Sequence, residues 1–208
     1  MESSKDFSLI KKVLDKYFNF LSDEGDYAFA SMTEFIPNAM LDKSKNEDDE
    51  GYSFWLPIKS TITDNEILDL ENLLRRKLPD SFKYFLEQRH FMELHLGQNV
   101  NFFSVLPNQL TLKFKDMIDK FYWTLLDRNY LPFANYGDWG VVCFNANKKV
   151  LDNNYEIVTL DHEDEYQKSQ FYAESFLKMF ELFDRQLDEK IKNVTDFRKN
   201  NAQQKYLQ

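Results

Sequence analysis

The sequence predicts an α+β protein with an N-terminal helical extension. Two observations predict it. Stretches with apolar residues every three or four positions stand apart from short aromatic and β-branched runs bounded by turn residues. The composition, 43% hydrophobic and 29% charged over 208 residues, is that of a soluble globular chain long enough to bury a core without covalent staples. With 20 Phe, 11 Tyr and 3 Trp there is aromatic surface to spare beyond a filled core.

The elements follow in order. Phe7, Ile10, Leu14, Tyr17, Phe18 and Leu21 fall at helical spacing, so a first helix is expected there. A second helix is expected from about Met32 to Leu41, with Pro37 against it unless it lies in the first turn. Asp42 to Gly51 is polar and reads as a solvated, mobile linker. Tyr52-Ser53-Phe54-Trp55-Leu56 is a candidate strand. Thr63-Asp64-Asn65-Glu66 is a capping box, and the helix it opens carries Ile67, Leu70, Leu73, Leu74 and Leu78. Pro79 breaks that helix and starts another through Leu86, with Asp80 in its first turn.

Phe91 to Leu96 and Val100 to Leu106 flank Gly97-Gln98-Asn99 and read as a hairpin. A long helix is expected from Pro107 to about Arg128, its buried face Leu110, Phe114, Ile118, Phe121 and Leu125. After Tyr130 to Ala134 comes a turn at Asn135 to Asp138. Trp139 to Phe144 is the most strand-like run, and Tyr155 to Leu160 is another strand before the acidic loop Asp161 to Glu165. A last helix is expected from about Ser169 to Asn193, with Tyr172, Phe176, Met179 or Phe180, Phe183 and Leu187 on its apolar face. The remainder, 193–208, reads as a flexible tail.

Charge narrows the function classes. There are 35 acids against 26 bases, a net −9. Residues 1–56 hold 12 acids and 6 bases, and residues 131–185 hold 10 and 5, so the acidity sits in two regions. Nucleic-acid binding rests on cations against phosphates, and this chain has the wrong sign; an anionic membrane surface is disfavoured alike. A basic protein partner is favoured, since opposite fields speed encounter. The single cysteine, Cys143, excludes an internal disulfide and a cysteine-rich zinc site, and points to a reducing compartment. Neither a secretory signal nor an 18-residue apolar run is seen, so a cytoplasmic protein is expected.

The ordered set Ile67-Leu68-Asp69-Leu70-Glu71, Leu78-Pro79-Asp80-Ser81-Phe82-Lys83-Tyr84-Phe85-Leu86, Leu131-Pro132-Phe133-Ala134, Gly137-Asp138-Trp139-Gly140-Val141-Val142-Cys143-Phe144, Val158-Thr159-Leu160-Asp161-His162-Glu163 and Ser175-Phe176-Leu177 resembles the SUKH superfamily over about residues 57–185. The resemblance implies a central, mostly antiparallel sheet with helices packed against it, in a domain of residues 57–192 that follows an extension and acidic linker at 1–56. It implies binding rather than catalysis. Many bacterial members resemble cytoplasmic immunity proteins that neutralise a toxin, often a nuclease, from a competing or sister cell; others are eukaryotic cell-wall or signalling scaffolds. The chain departs from the family at Arg89-His90-Phe91, where members commonly carry a glycine pair.

No enzyme and no cofactor is expected. Cys143 lies in an apolar strand and reads as a core thiol. Ser8-Leu9-Ile10-Lys11 and Ser175-Phe176-Leu177-Lys178 match Ser-x-x-Lys without its partner motifs. Asp161, His162, Glu163 and Asp164 lack the spacing of a calcium loop, so no metal site is expected. Gly137-Asp138-Trp139-Gly140 reads as a β-turn rather than an RNA-binding loop.

The expected partner-binding residues are Glu47, Asp48, Asp49 and Glu50; Tyr136, Asp138 and Trp139; and Asp161, Glu163, Asp164 and Glu165. The acids read either as a lure for the basic cleft of a toxin or as solvated loops. Trp139 reads either as an interface anchor or as a core residue. The resulting expectation is a monomer or weak homodimer that blocks a cognate basic protein toxin, with a non-catalytic scaffold as the alternative.

Overall fold

The protein is described by a computed structural model covering residues 7–25, 29–148 and 154–205. Helix α1 (Ser8–Glu24) is followed by strand β1 (Ala30–Met32), which pairs antiparallel with β2 (Tyr52–Phe54) in a small ribbon. Strand β3 (Ile58–Lys59) and helices α2 (Asp64–Leu74) and α3 (Asp80–Leu86) come next. The capping box forms as expected: Glu66 N–H donates to Thr63 Oγ1, and Thr63 N–H donates to the Glu66 carboxylate. Strand β4 (Arg89–His90) pairs with β3 in a two-stranded ribbon.

The main sheet has six antiparallel strands in the order β10-β9-β8-β7-β6-β5. They are β5 (His95–Leu96), β6 (Val100–Phe102), β7 (Tyr130–Tyr136), β8 (Gly140–Asn145), β9 (Glu156–Asp161) and β10 (Ser169–Ala173). Pro132 is tolerated in β7 because β6 pairs only with Ala134 to Tyr136, leaving that side of Pro132 without a ladder to donate to. Gly97 turns the β5–β6 hairpin at φ +67°, and a Cβ there would lie 2.8 Å from the Phe183 ring.

Helix α6 (Phe176–Lys205) and α3 cover one face of this sheet with phenylalanines. Phe82, Phe85, Phe176 and Phe180 from the helices meet Phe102, Phe133 and Phe144 from the strands, all fully buried or nearly so. Helix α1 packs along α6 and joins the same core through Ile10, Val13, Leu14 and Phe18. Lys16 stands between Asp184 and Asp188 of α6, and Arg89 reaches Asp15 at 2.8 Å. Burial opposes the charge on Lys16, but those two carboxylates outweigh it and raise its pKa.

The other face is covered by helix α4 (Leu110–Met117), a π-helical segment (Ile118–Tyr122) and helix α5 (Trp123–Asp127). The π turn corrects one expectation. Even 3.6-residue periodicity puts Phe121 on the buried face, yet Phe121 is 55% exposed and Tyr122 is 6% exposed. One wider turn shifts the inward position by a residue and leaves Phe121 and Trp123 outside.

Three further expectations are corrected. Residues 32–41 do not form a helix: Met32 ends β1, Thr33–Phe35 is a 3₁₀ turn, a bend and a second turn follow, and Leu41 bridges to Trp55. Ser169 to Ala173 is an edge strand, not the start of the last helix, because it pairs with β9. The helix in turn continues past Asn193 to Lys205, through residues expected as a flexible tail. The segment Asp42 to Gly51 is a series of turns stabilised by its own carboxylates: Asp42 accepts from Ser44, and Asp48 accepts from the N–H groups of Glu50 and Tyr52 at 3.0 and 2.8 Å.

Candidate partner-binding surface

Two turns meet at one end of the main sheet. The antiparallel order of β7, β8, β9 and β10 places the β7–β8 turn beside the β9–β10 turn. In the first, Gly137 adopts φ +56° and donates its N–H to Asn99 O at 2.7 Å. Trp139 folds back over Gly137 and stands edge-on to Tyr136, with ring centroids 4.9 Å apart. Tyr136 also meets Tyr172 of β10. Trp139 remains 39% exposed, so it is packed at the surface rather than in the core.

The second turn is acidic and built from its own side chains. Asp161 Oδ1 accepts from Glu163 N–H at 2.8 Å; Asp164 accepts from Gln167 and Lys168 N–H at 3.0 and 3.2 Å. Glu165 and Tyr166 both hold positive φ, 56° and 59°, a conformation that costs L-residues about 1 kcal/mol each and persists because these bonds impose it. His162 joins the turns: its N–H donates to Trp139 O at 2.9 Å, and its Nδ1 approaches the same oxygen.

The roles therefore divide. Asp161 and Asp164 are half-buried and hold the turn, whereas Asp138, Glu163 and Glu165 are exposed. A shallow depression of about 500 Å³ lies beneath, lined by Phe121, Tyr122, Asp138, His162 and Tyr166 among others. Tyr122 donates to Asn135 Oδ1 at 2.8 Å and stands edge-on to Tyr166; burial raises the Tyr122 pKa far above the ordinary tyrosine range, so it stays a neutral donor. Glu47, Asp48, Asp49 and Glu50 are all exposed but belong to the β1–β2 ribbon, a separate sheet.

Sequence reasoning missed Phe121, Trp123 and Tyr166. A signal for the first two was present, since Phe121-Tyr122-Trp123 is a run of aromatics and a helix cannot bury three adjacent positions.

The other candidate chemistries find little support in the geometry. Cys143 is fully buried, and burial pushes its thiol pKa well above the ordinary value, so it makes a poor nucleophile. Ser175 Oγ accepts from Lys178 N–H and serves the start of α6. Among the described residues, no three His, Cys, Asp or Glu side chains are grouped to hold a metal ion. No described helix is long and apolar enough to cross a membrane.

Residues 61–182, more than half of the chain, match the model of the SMI1/KNR4 family (SUKH-1). The chain belongs to that family. The match begins just before the capping box of α2 and ends within α6, and it contains both turns of the sheet end. The matched span holds the six-stranded sheet, α2 to α5 and the first turns of α6, while α1 and the β1–β2 ribbon lie outside it. No curated protein matches the chain.

Proposed function

We propose that this SUKH-1 protein is a bacterial immunity protein: it binds a cognate basic protein toxin in the cytoplasm and neutralises it by covering the toxin's active site. The observation that carries the reading is the convergence of an acidic turn and an aromatic turn at one end of the sheet, bridged by His162 and Trp139.

Each part has a physical task. Asp138, Glu163 and Glu165 project free carboxylates that attract a cationic cleft and accelerate encounter. Close charge pairs across an interface couple by about 1.5–7 kcal/mol when they are buried together. Trp139 and Phe121 are exposed, partly fixed aromatics of the type that anchors interfaces, where truncation costs about 2 kcal/mol or more. Glu47, Asp48, Asp49 and Glu50 add to long-range steering. Inhibition then needs no chemistry: a bulky, negatively charged end seated over a basic cleft excludes the toxin's own substrate. The chain acts as a monomer or weak homodimer.

Co-expression with the toxin domains encoded beside its gene tests this. Growth rescue together with a stoichiometric complex supports it. Failure to neutralise any of them, with stable association to a host regulatory protein instead, supports a scaffold role and overturns it.

A further inference from the structure

A second depression continues from the sheet end. The cleft above β6 and α4, about 380 Å³, shares Met117 and Asn135 with the sheet-end depression. Its far wall is Ser31 of β1 and Phe35 of the 3₁₀ turn, both outside the matched family span. Phe35 is 59% exposed, and with Met92 and Met117 it forms apolar sides. Asn101 of β6 lies opposite Asn135 of β7. Asn135 Oδ1 accepts from Tyr122, whereas Asn101 Oδ1 is buried and accepts no hydrogen bond from any described residue.

A buried carbonyl oxygen without a donor is destabilising, and a ligand that donates to it relieves that cost. The rim acids, Glu93 and Asp116, outnumber the one rim base, Lys113. Glu93 stands 3.5 Å from His95 and Asp116 pairs with Lys120 at 2.8 Å; both are exposed pairs that exchange at little cost.

We propose that this cleft receives an arginine side chain presented on an extended basic segment of the partner protein, so that the N-terminal extension forms one wall of the binding surface. The inference rests on the sheet-end reading and extends it. An arginine stem fits the methionine and Phe35 walls, and its planar fork can donate to a rim carboxylate and, once the Asn101 amide turns to bring Oδ1 to the cleft, to that oxygen as well. Lysine has three donors on one compact ammonium but lacks the rigid planar fork that spans two separated acceptors.

The test is a nuclear magnetic resonance titration of the full chain with acetyl-Gly-Leu-Arg-Leu-Gly-amide and with its citrulline counterpart, which keeps the shape and removes the charge. The arginine peptide is expected to shift the Asn101 side-chain amide and the Met117 methyl. The citrulline peptide, and the arginine peptide on the Asp116→Lys variant, are expected to bind about tenfold more weakly. Equal binding of the two peptides overturns the proposal, as does a shift confined to residues 161–166. Neither result touches the sheet-end reading, which is decided by toxin neutralisation with Asp138 and Glu163 reversed in charge.

Discussion

His162 and Trp139 are joined at a single oxygen: the Trp139 carbonyl accepts from the backbone N–H of His162 and faces its Nδ1. This contact ties the acidic turn to the aromatic turn, and the surface attributed to partner binding depends on it. Replacing His162 with Ala removes the side-chain half. Thermal stability is expected to fall by only about 1 kcal/mol, because the backbone bond remains. Hydrogen exchange at Glu165 and Tyr166 is expected to quicken. Unchanged exchange there would mean that the imidazole does not hold the turn.

The π segment predicts opposite outcomes for neighbouring aromatics. Phe121→Ser should change unfolding free energy by no more than about 0.5 kcal/mol, as for other exposed positions. Tyr122→Ala should cost about 3 kcal/mol, since it empties a buried site and leaves Asn135 Oδ1 without its donor. Urea unfolding of both variants checks this. The reverse order would restore plain helical periodicity.

Glu71 is a buried acid at the end of α2. Its carboxylate meets Lys77 at 2.6 Å, Lys83 at 2.9 Å and Leu78 N–H at 3.0 Å. Burial works to raise its pKa, but these three partners outweigh it and lower it. Glu71→Gln leaves Lys83 without its counter-charge and should destabilise the fold by about 3 kcal/mol, measured by urea unfolding at pH 7.

His90 gives a pH signature distinct from that of Glu71. Its ring is buried, Nε2 accepts from Thr61 N–H at 2.9 Å, and Nδ1–H donates to Val105 O at 3.1 Å. Burial lowers its pKa below the ordinary 6.5. The unfolded chain therefore binds this proton first as pH falls. Stability is complete above about pH 6.5 and is lost below it by about 1.4 kcal/mol per pH unit, until the folded protein also takes up the proton. For Glu71 the folded pKa is depressed, so its contribution is present above the ordinary 4.5 and is lost further into acid. Unfolding between pH 7.5 and 5.5 should show the His90 slope, and His90→Gln should flatten it.

Much of this architecture was legible in local chemistry. Thr63 and Glu66 marked the start of α2, Pro79 marked α3, and the runs around Val141 and Val158 marked two strands, which the fold pairs as β8 and β9. What escaped depended on long-range pairing. Ser169 to Ala173 carries Phe171, Tyr172 and Ala173 at spacings that suit either element, and only β9 makes it a strand. Thr195 to Lys205 is polar enough to read as a tail, yet it extends a helix already anchored by Phe176 to Leu187. At the sheet end, Trp139 and the acids at 161–165 were readable as candidates by composition. Their adjacency was not, because 22 positions separate Trp139 from Asp161 and only the β8–β9 register, Gly140 opposite Asp161, brings them together.

The most direct test of the binding claim is calorimetric titration of the neighbouring toxin domain with the wild-type chain and with Asp138→Lys/Glu163→Lys, at low and high salt. The account predicts that the reversed variant folds normally and loses at least about a hundredfold in affinity, and that wild-type binding weakens as salt rises. Wild-type affinity in the reversed variant, insensitive to salt, would contradict it.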